Sequence, residues 1–315
     1  MGPAVADLHR RLRGLGVAAG PDPRTFSEKT ASGVRDFQER RGLRVDGVCG
    51  RETWDALVEA GYRIGDRLLY LRQPMLRGDD IVEVQRQLGA LGFHVGRADG
   101  IFGPGTHQAV QAFQRNTGLT PDGTVGLATV FALRRLRSRG PAGDPAALRE
   151  TARLQAMRPS MREHHVVVAE VGGLGALARE TQRAVSARGG RVTLLAHPDA
   201  GALAEQANNT GASLCVGLAL AASAGGCRAA YWGAHESESP AGRRIATLVL
   251  EELSSSGAGV DGGPRAMNTS FLRATRMPAV LVDIGPARFA VERGADAAAA
   301  IGRAVERWAD NPGGL

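Results

Sequence analysis

Lysine is almost missing from this sequence. Lys29 is the only one in 315 residues, so the formal net charge of +7 rests on arginine. A basic surface suits anionic partners, from cell-wall polymer and nucleotide-linked sugars to nucleic acid. The arginines are scattered, however, and none of the basic runs is long enough to form a dedicated arm, so nucleic acid is not an expected partner. Cysteine is sparse as well. Cys49, Cys215 and Cys227 form no CxxC pair, and their odd number leaves no complete disulfide framework; Cys215 lies in an apolar run and reads as a small core residue. No segment approaches the run of about 18 apolar residues that crosses a bilayer, and no basic leader followed by an apolar stretch opens the chain. A soluble protein of a reducing compartment, the cytoplasm, is therefore expected. The length allows two or three compact domains.

What the chain does have is a repeat. FQERRGLRVDGVCGRETWDAL (Phe37 to Leu57) returns as FQRNTGLTPDGTVGLATVFAL (Phe113 to Leu133) at a constant shift of 76 positions. The match continues upstream without a gap, with Leu12, Leu15, Gly16, Thr30 and Val34 answering to Leu88, Leu91, Gly92, Thr106 and Val110. Apolar residues at helical spacing, broken by Gly-Leu and Asp-Gly turns, predict a bundle of about three short helices per copy. The expected organisation is repeat 1 over residues 1–60, a connector over 61–77, repeat 2 over 78–137, a linker over 138–163 that ends in an arginine-rich helical stretch, and a second domain over 164–310. Repeat 1 begins at Gly2-Pro3-Ala4 where repeat 2 has Gly78-Asp79-Asp80. The chain thus opens inside its first motif, and a secreted, cell-wall location with a start further upstream is the alternative expectation.

These copies resemble the peptidoglycan-binding domain type 1 family. Copy two carries its pattern at Gly78, Asp79, Asp80, Gln85, Asp99, Gly100, Phe102, Gly103, Thr106, Phe113, Gln114, Asp122 and Gly123, whereas copy one replaces the first Asp-Gly turn with PRTFS (Pro23 to Ser27). Most of these positions read as helix packing and turns. The resemblance implies a peptidoglycan-related ligand, and the groove beside the turn of copy two makes Asp99, Phe102 and Thr106 the candidate ligand-binding residues.

From His164 the pattern changes to alternating strands and helices, which predicts an α/β layer fold. Strands are expected at 165–170, 191–196, 213–220, 227–233 and 279–285, and helices at 176–188, 201–209, 240–254 and 295–308. The segment from Met277 to Gly285, MPAVLVDIG, reads as a buried strand that delivers Asp283 to its carboxyl end, where ligands and catalytic groups of such sheets sit. The fold class is thus multidomain: two small all-α three-helix bundles followed by an α/β domain with a twisted mixed sheet flanked by helices.

Several phrases of this second half resemble the zinc-dependent N-acetylmuramoyl-L-alanine amidases of the amidase 3 family: GGRVTLLAHPD (Gly189 to Asp199), Ala207-Asn208, GASLCVGLAL (Gly211 to Leu220) and LRATRMPAVLVDIG (Leu272 to Gly285). The resemblance implies a zinc held by two histidines and a glutamate, a metal-bound water, and a carboxylate on the last strand as general base. The turn that should carry the first histidine reads Ala169 to Gly175 and has none; the loop of the glutamate is missing, leaving Glu170 and Glu180 nearby; and Ala219 stands where the second histidine belongs. Asp283 replaces the usual glutamate and reads as the degenerate remnant of the base, without catalytic capacity. Zinc, the family's cofactor, is not expected to bind, and no other cofactor is implied. His164, His165, His197 and the pair His235-Glu236 are the residues from which a relocated metal site would have to be built; no GxSxG elbow occurs.

Two functions follow. One is a pseudo-amidase that binds peptidoglycan, muropeptide or a lipid-linked precursor; proteins of this arrangement include cytoplasmic regulators of peptidoglycan precursor synthesis, which makes an enzyme of that synthesis a further expected partner. The alternative is an active amidase that cuts the amide between the lactyl group and L-alanine.

Overall fold

The computed structural model describes residues 2–136, 145–221, 226–234 and 237–313. They form two compact units, Met1–Leu148 and Arg149–Leu315.

The first unit holds the two repeats, each with the three expected helices: α1 (Pro3–Gly14), α2 (Glu28–Arg40) and α3 (Arg51–Glu59), then α4 (Asp79–Ala90), α5 (Pro104–Thr117) and α6 (Leu127–Arg135). The same apolar positions fill both cores. Leu12, Val34, Phe37 and Leu57 are buried in repeat 1, and their counterparts Leu88, Val110, Phe113 and Leu133 in repeat 2. Full burial of such side chains contributes roughly 1.5–3 kcal/mol each. The Asp-Asp pair that only repeat 2 possesses ties the unit together. Arg41, at the end of α2, donates to both Asp79 oxygens (3.0 and 2.6 Å), and Arg67 of the connector donates to both oxygens of the buried Asp80 (2.7 and 3.0 Å) while its guanidinium lies 3.7 Å from the centre of the Tyr62 ring. A fork matched to a carboxylate fixes orientation as well as distance.

The second unit begins earlier than the sequence predicts. Residues 138–144 of the expected linker lie outside the described residues, but α7 (Pro145–Gln155) and a 3-10 turn at Met161–Glu163 follow. Leu154 and Met161 are buried in the core of the α/β unit, and Glu150 accepts a 2.8 Å hydrogen bond from Ser239. The stretch from Arg149 to Glu163 is therefore part of this unit rather than a linker, because its apolar residues are needed to cover the sheet.

The strands are β1 (His165–Glu170), β2 (Arg191–Ala196), β3 (Leu214–Leu220), β4 (Gly226–Ala234), β5 (Ser237–Glu238), β6 (Arg265–Met267) and β7 (Ala279–Gly285). Their order is β2-β1-β3-β7-β4-β5, with β6 beside β4. β2, β1, β3 and β7 run parallel and β4 is antiparallel to β7, so the sheet is mixed. The helices are α8 (Gly175–Ser186), α9 (Ala200–Asn209), α10 (Pro240–Ser255), α11 (Ser270–Ala274) and α12 (Ala287–Asp310).

Side chains alternate along each strand and create two cores. Val166, Val168, Val216, Leu218, Val280, Val282 and Ile284 pack with α8, α10 and α12 on one face. Val167, Ala169, Cys215, Ala219, Ala230, Trp232 and Leu281 pack with α9 and α11 on the other. Gly217 is required on that second face, since a Cβ there would come within 2.5 Å of the Phe271 ring of α11. Among the described residues no helix is long and apolar enough to cross a membrane.

Candidate functional site

Two places match the sequence expectations: the carboxyl edge of the parallel strands, and the first turn of repeat 2. At the sheet edge, β3 and β7 place Ala219 directly beside Asp283. Both belong to the face covered by α9 and α11, by their alternation with Cys215 and Leu281. Glu170, at the end of β1, alternates with Val166 and Val168 and so belongs to the opposite face. There its carboxylate accepts a 2.8 Å hydrogen bond from the Leu174 backbone N–H at the start of α8. A carboxylate in that position satisfies a donor that the helix itself cannot.

Asp283 is half-buried and held within the fold. Its register partner on β4 is Arg228, whose Nε donates to Asp261 Oδ2 at 2.6 Å. The position of the expected base is thus set beside an arginine that is itself paired with Asp261. Arg228 and Asp261 could not be found from sequence alone, because cross-strand register is invisible until β4 is known to turn back against β7.

The fit to zinc can be tested on these donors. The metal wants three or four nitrogen, sulfur or oxygen donors converging at about 2.0–2.3 Å. Ala219 offers a methyl group, Glu170 lies across the sheet from Asp283, and Glu180 is on α8, 3.6 Å from Arg183. The histidines do not assemble either. His164 Nε2 bonds the Arg158 carbonyl at 3.0 Å and its ring meets Trp308; His165 Nε2 bonds Thr193 Oγ1 at 2.9 Å; His197 Nδ1 accepts from the Asp199 N–H at 3.0 Å. His164 and His165 stand at the amino end of β1, the far edge from Asp283. Burial, aided by Arg191, holds His165 below its ordinary pKa. Among the described residues no three His, Cys, Asp or Glu side chains come together as a metal site. His235 and Glu236 lie outside the described residues. The described residues do not fit the zinc site of the family.

In repeat 2, two of the three candidate residues, Asp99 and Thr106, belong to an internal clasp. Gln85 Nε2 donates to Asp99 Oδ1 (2.9 Å), the Ile101 carbonyl (3.1 Å) and Thr106 Oγ1 (3.0 Å), while its Oε1 accepts from Gly100 N–H (2.9 Å). Phe102 is fully buried and Thr106 nearly so. A side chain without exposed surface cannot touch a ligand, so Phe102 and Thr106 hold the turn from inside, and Asp99 alone keeps partial exposure.

The same clasp occurs twice more. Gln114 joins Asp122, Gly123, Thr124 and Thr129, and Gln38 joins Asp46, Gly47, Val48 and Thr53, with equivalent atoms at 2.8–3.2 Å. The fourth position is altered: His9 replaces glutamine and bonds Thr30 Oγ1 at 3.1 Å. The recurrence of glutamine at one offset in both copies was the available signal; it points to turn closure at least as well as to ligand contact.

The comparisons with known proteins agree with this architecture. The family described as "Putative peptidoglycan binding domain" matches residues 1–57 and 77–133. The N-acetylmuramoyl-L-alanine amidase CwlM of Mycobacterium tuberculosis is 33% identical over 290 residues, covering 82% of this chain and 71% of that protein. The N-acetylmuramoyl-L-alanine amidase CwlL of Bacillus licheniformis is 28% identical over 158 residues, covering 43% of this chain and 44% of that protein. Among solved structures, the amidase Ami1 of Mycobacterium smegmatis aligns with 46% of this chain and 96% of its own, at 17% identity and a TM-score of 0.38. By its likeness to CwlM over most of both sequences, the chain belongs to the N-acetylmuramoyl-L-alanine amidase family, as a member with two peptidoglycan-binding modules ahead of the amidase-like unit.

Proposed function

We propose that this protein recognises peptidoglycan, or the muropeptides and lipid-linked precursors related to it, without cleaving them, and that it acts in the control of cell-wall synthesis through binding, with an enzyme of precursor synthesis as its protein partner. One observation carries the reading: the two strand-end carboxylates point to opposite faces of the sheet, and a methyl group stands between the positions where donors should converge. Hydrolysis of an unactivated amide in this family depends on a metal that lowers the pKa of its bound water. Without donors to hold the metal, the amide keeps its full barrier.

The two cysteines of the α/β unit do not supply a replacement nucleophile. Burial pushes the Cys215 thiol up to about 12 and the Cys227 thiol up to about 11, so neither supplies a thiolate at neutral pH. All three cysteines are free thiols, which supports a reducing compartment such as the cytoplasm.

The test is incubation of the whole protein with purified peptidoglycan sacculi, measuring both co-sedimentation and new L-alanine amino termini. Retention without new amino termini is expected. Turnover would overturn the non-catalytic part, and absence of retention the binding part.

A further inference from the structure

The outer face of α6 differs from its counterpart in repeat 1. At about 100° per residue, positions 127, 131, 134 and 135 fall on one stripe of the helix. In repeat 2 this stripe reads Leu127, Phe131, Arg134, Arg135; the equivalent stripe of α3 reads Arg51, Asp55, Val58, Glu59. Leu127 is 67% and Phe131 65% exposed, whereas Arg51 and Asp55 form a surface ion pair. The connector extends the apolar ledge. Leu69 pairs with Val125, which sets Leu68, itself 60% exposed, against Gly126 at the first turn of α6. At the other end Arg134 donates to the Ile64 carbonyl, so its guanidinium is positioned rather than free to wander.

A contiguous exposed set of one aromatic and two leucine side chains is unfavourable in water unless something covers it. The folded module does not need it, because repeat 1 makes the same helix with charged residues at the same positions.

We propose that the Leu68–Leu127–Phe131 ledge with Arg134 and Arg135 is the ligand-contacting surface of repeat 2, and that it takes an anionic muropeptide segment of peptidoglycan. The inference rests on the proposed binding function and locates it. Leu127 and Phe131 fall inside the stretch that matches the peptidoglycan-binding family, with Leu68, Arg134 and Arg135 flanking it, and the occupant is chosen by complementarity. Muropeptides offer the C–H faces of sugar rings and the methyl groups of lactyl and alanyl units to the apolar ledge, and stem carboxylates to two arginines with no acidic residue on the α6 stripe. Repeat 1, with acids on the same stripe, does not share the site.

The experiment uses the whole protein, with purified sacculi as the probe. The double variant L127R/F131D installs the residues of repeat 1, which are compatible with the helix, and F131A is the milder companion should the double variant melt early. Thermal unfolding checks the fold and sedimentation velocity checks the association state. The expected result is a loss of sacculus retention of about tenfold or more, as for removal of a central contact, with folding and association unchanged. Retention of both variants at the wild-type level overturns this site while leaving the binding function standing. Failure of the wild type to bind sacculi overturns the binding function itself, and this site with it. A wild-type self-association that disappears in the variants assigns the ledge to contacts between copies and overturns the muropeptide proposal.

Discussion

Ala219 and Asp283 are register partners on neighbouring parallel strands, and Glu170, at the end of β1, faces the other way. The relationship means that single substitutions cannot rebuild a metal site. The variant A219H supplies one imidazole next to one carboxylate, and Glu170, on the opposite face, cannot complete the set. It is predicted to bind zinc with at least about a hundredfold lower affinity than a three-donor site and to release no L-alanine from sacculi. Zinc titration monitored by calorimetry tests this.

Glu170 has a structural task instead. Removing its side chain leaves the Leu174 N–H without its acceptor in a buried position. E170A should lower stability by about 1–3 kcal/mol in urea unfolding, with E170Q intermediate because its amide oxygen still accepts. Equal stability of E170A and wild type would contradict the capping role.

Gly217 and Phe271 are coupled by space. G217A is predicted to destabilise by about 1–3 kcal/mol, since its methyl group meets the Phe271 ring within 2.5 Å. The double variant G217A/F271L should recover part of that loss, a non-additivity that a double-mutant cycle reads directly.

His9 gives the first repeat a pH dependence that the second lacks at the matching residue, Gln85. Burial chiefly, with Arg13 adding to it, holds the His9 pKa below its ordinary value, and Asp22 and the backbone at Thr25 offset only part of this. The folded state therefore binds fewer protons than the unfolded chain as pH falls through about 6.5, and stability declines in that range. The variant H9Q should unfold with a weaker pH dependence between about pH 7 and 5 than wild type, measured by denaturant midpoints. An unchanged slope would remove His9 from the account.

Much of this architecture is legible in the sequence because its signals are local. The strands at 165–170, 191–196 and 279–285 were expected with the bounds they have, since each is a short apolar run between turn residues. α12 starts at Ala287, well before the expected 295, because Gly294 is tolerated inside the helix where it packs beside Leu177. β5, β6 and α11 are too short for periodicity to reveal. The site was legible in what is missing, for Ala219 is plain to read. Which face each acid occupies was not, because it depends on strand parity across partners distant in sequence. The turn residues depend on distant partners in the same way: Asp99 and Thr106 bond Gln85, 14 and 21 positions away, and Phe102 is buried, while Asp99 keeps partial exposure.

The most direct test of the central claim is metal content. The whole protein, equilibrated with zinc and dialysed, should retain well under one zinc per chain, and whatever remains should be unaffected by D283A. One tightly held zinc per chain, lost in D283A and accompanied by release of L-alanine amino termini from peptidoglycan, would contradict the account.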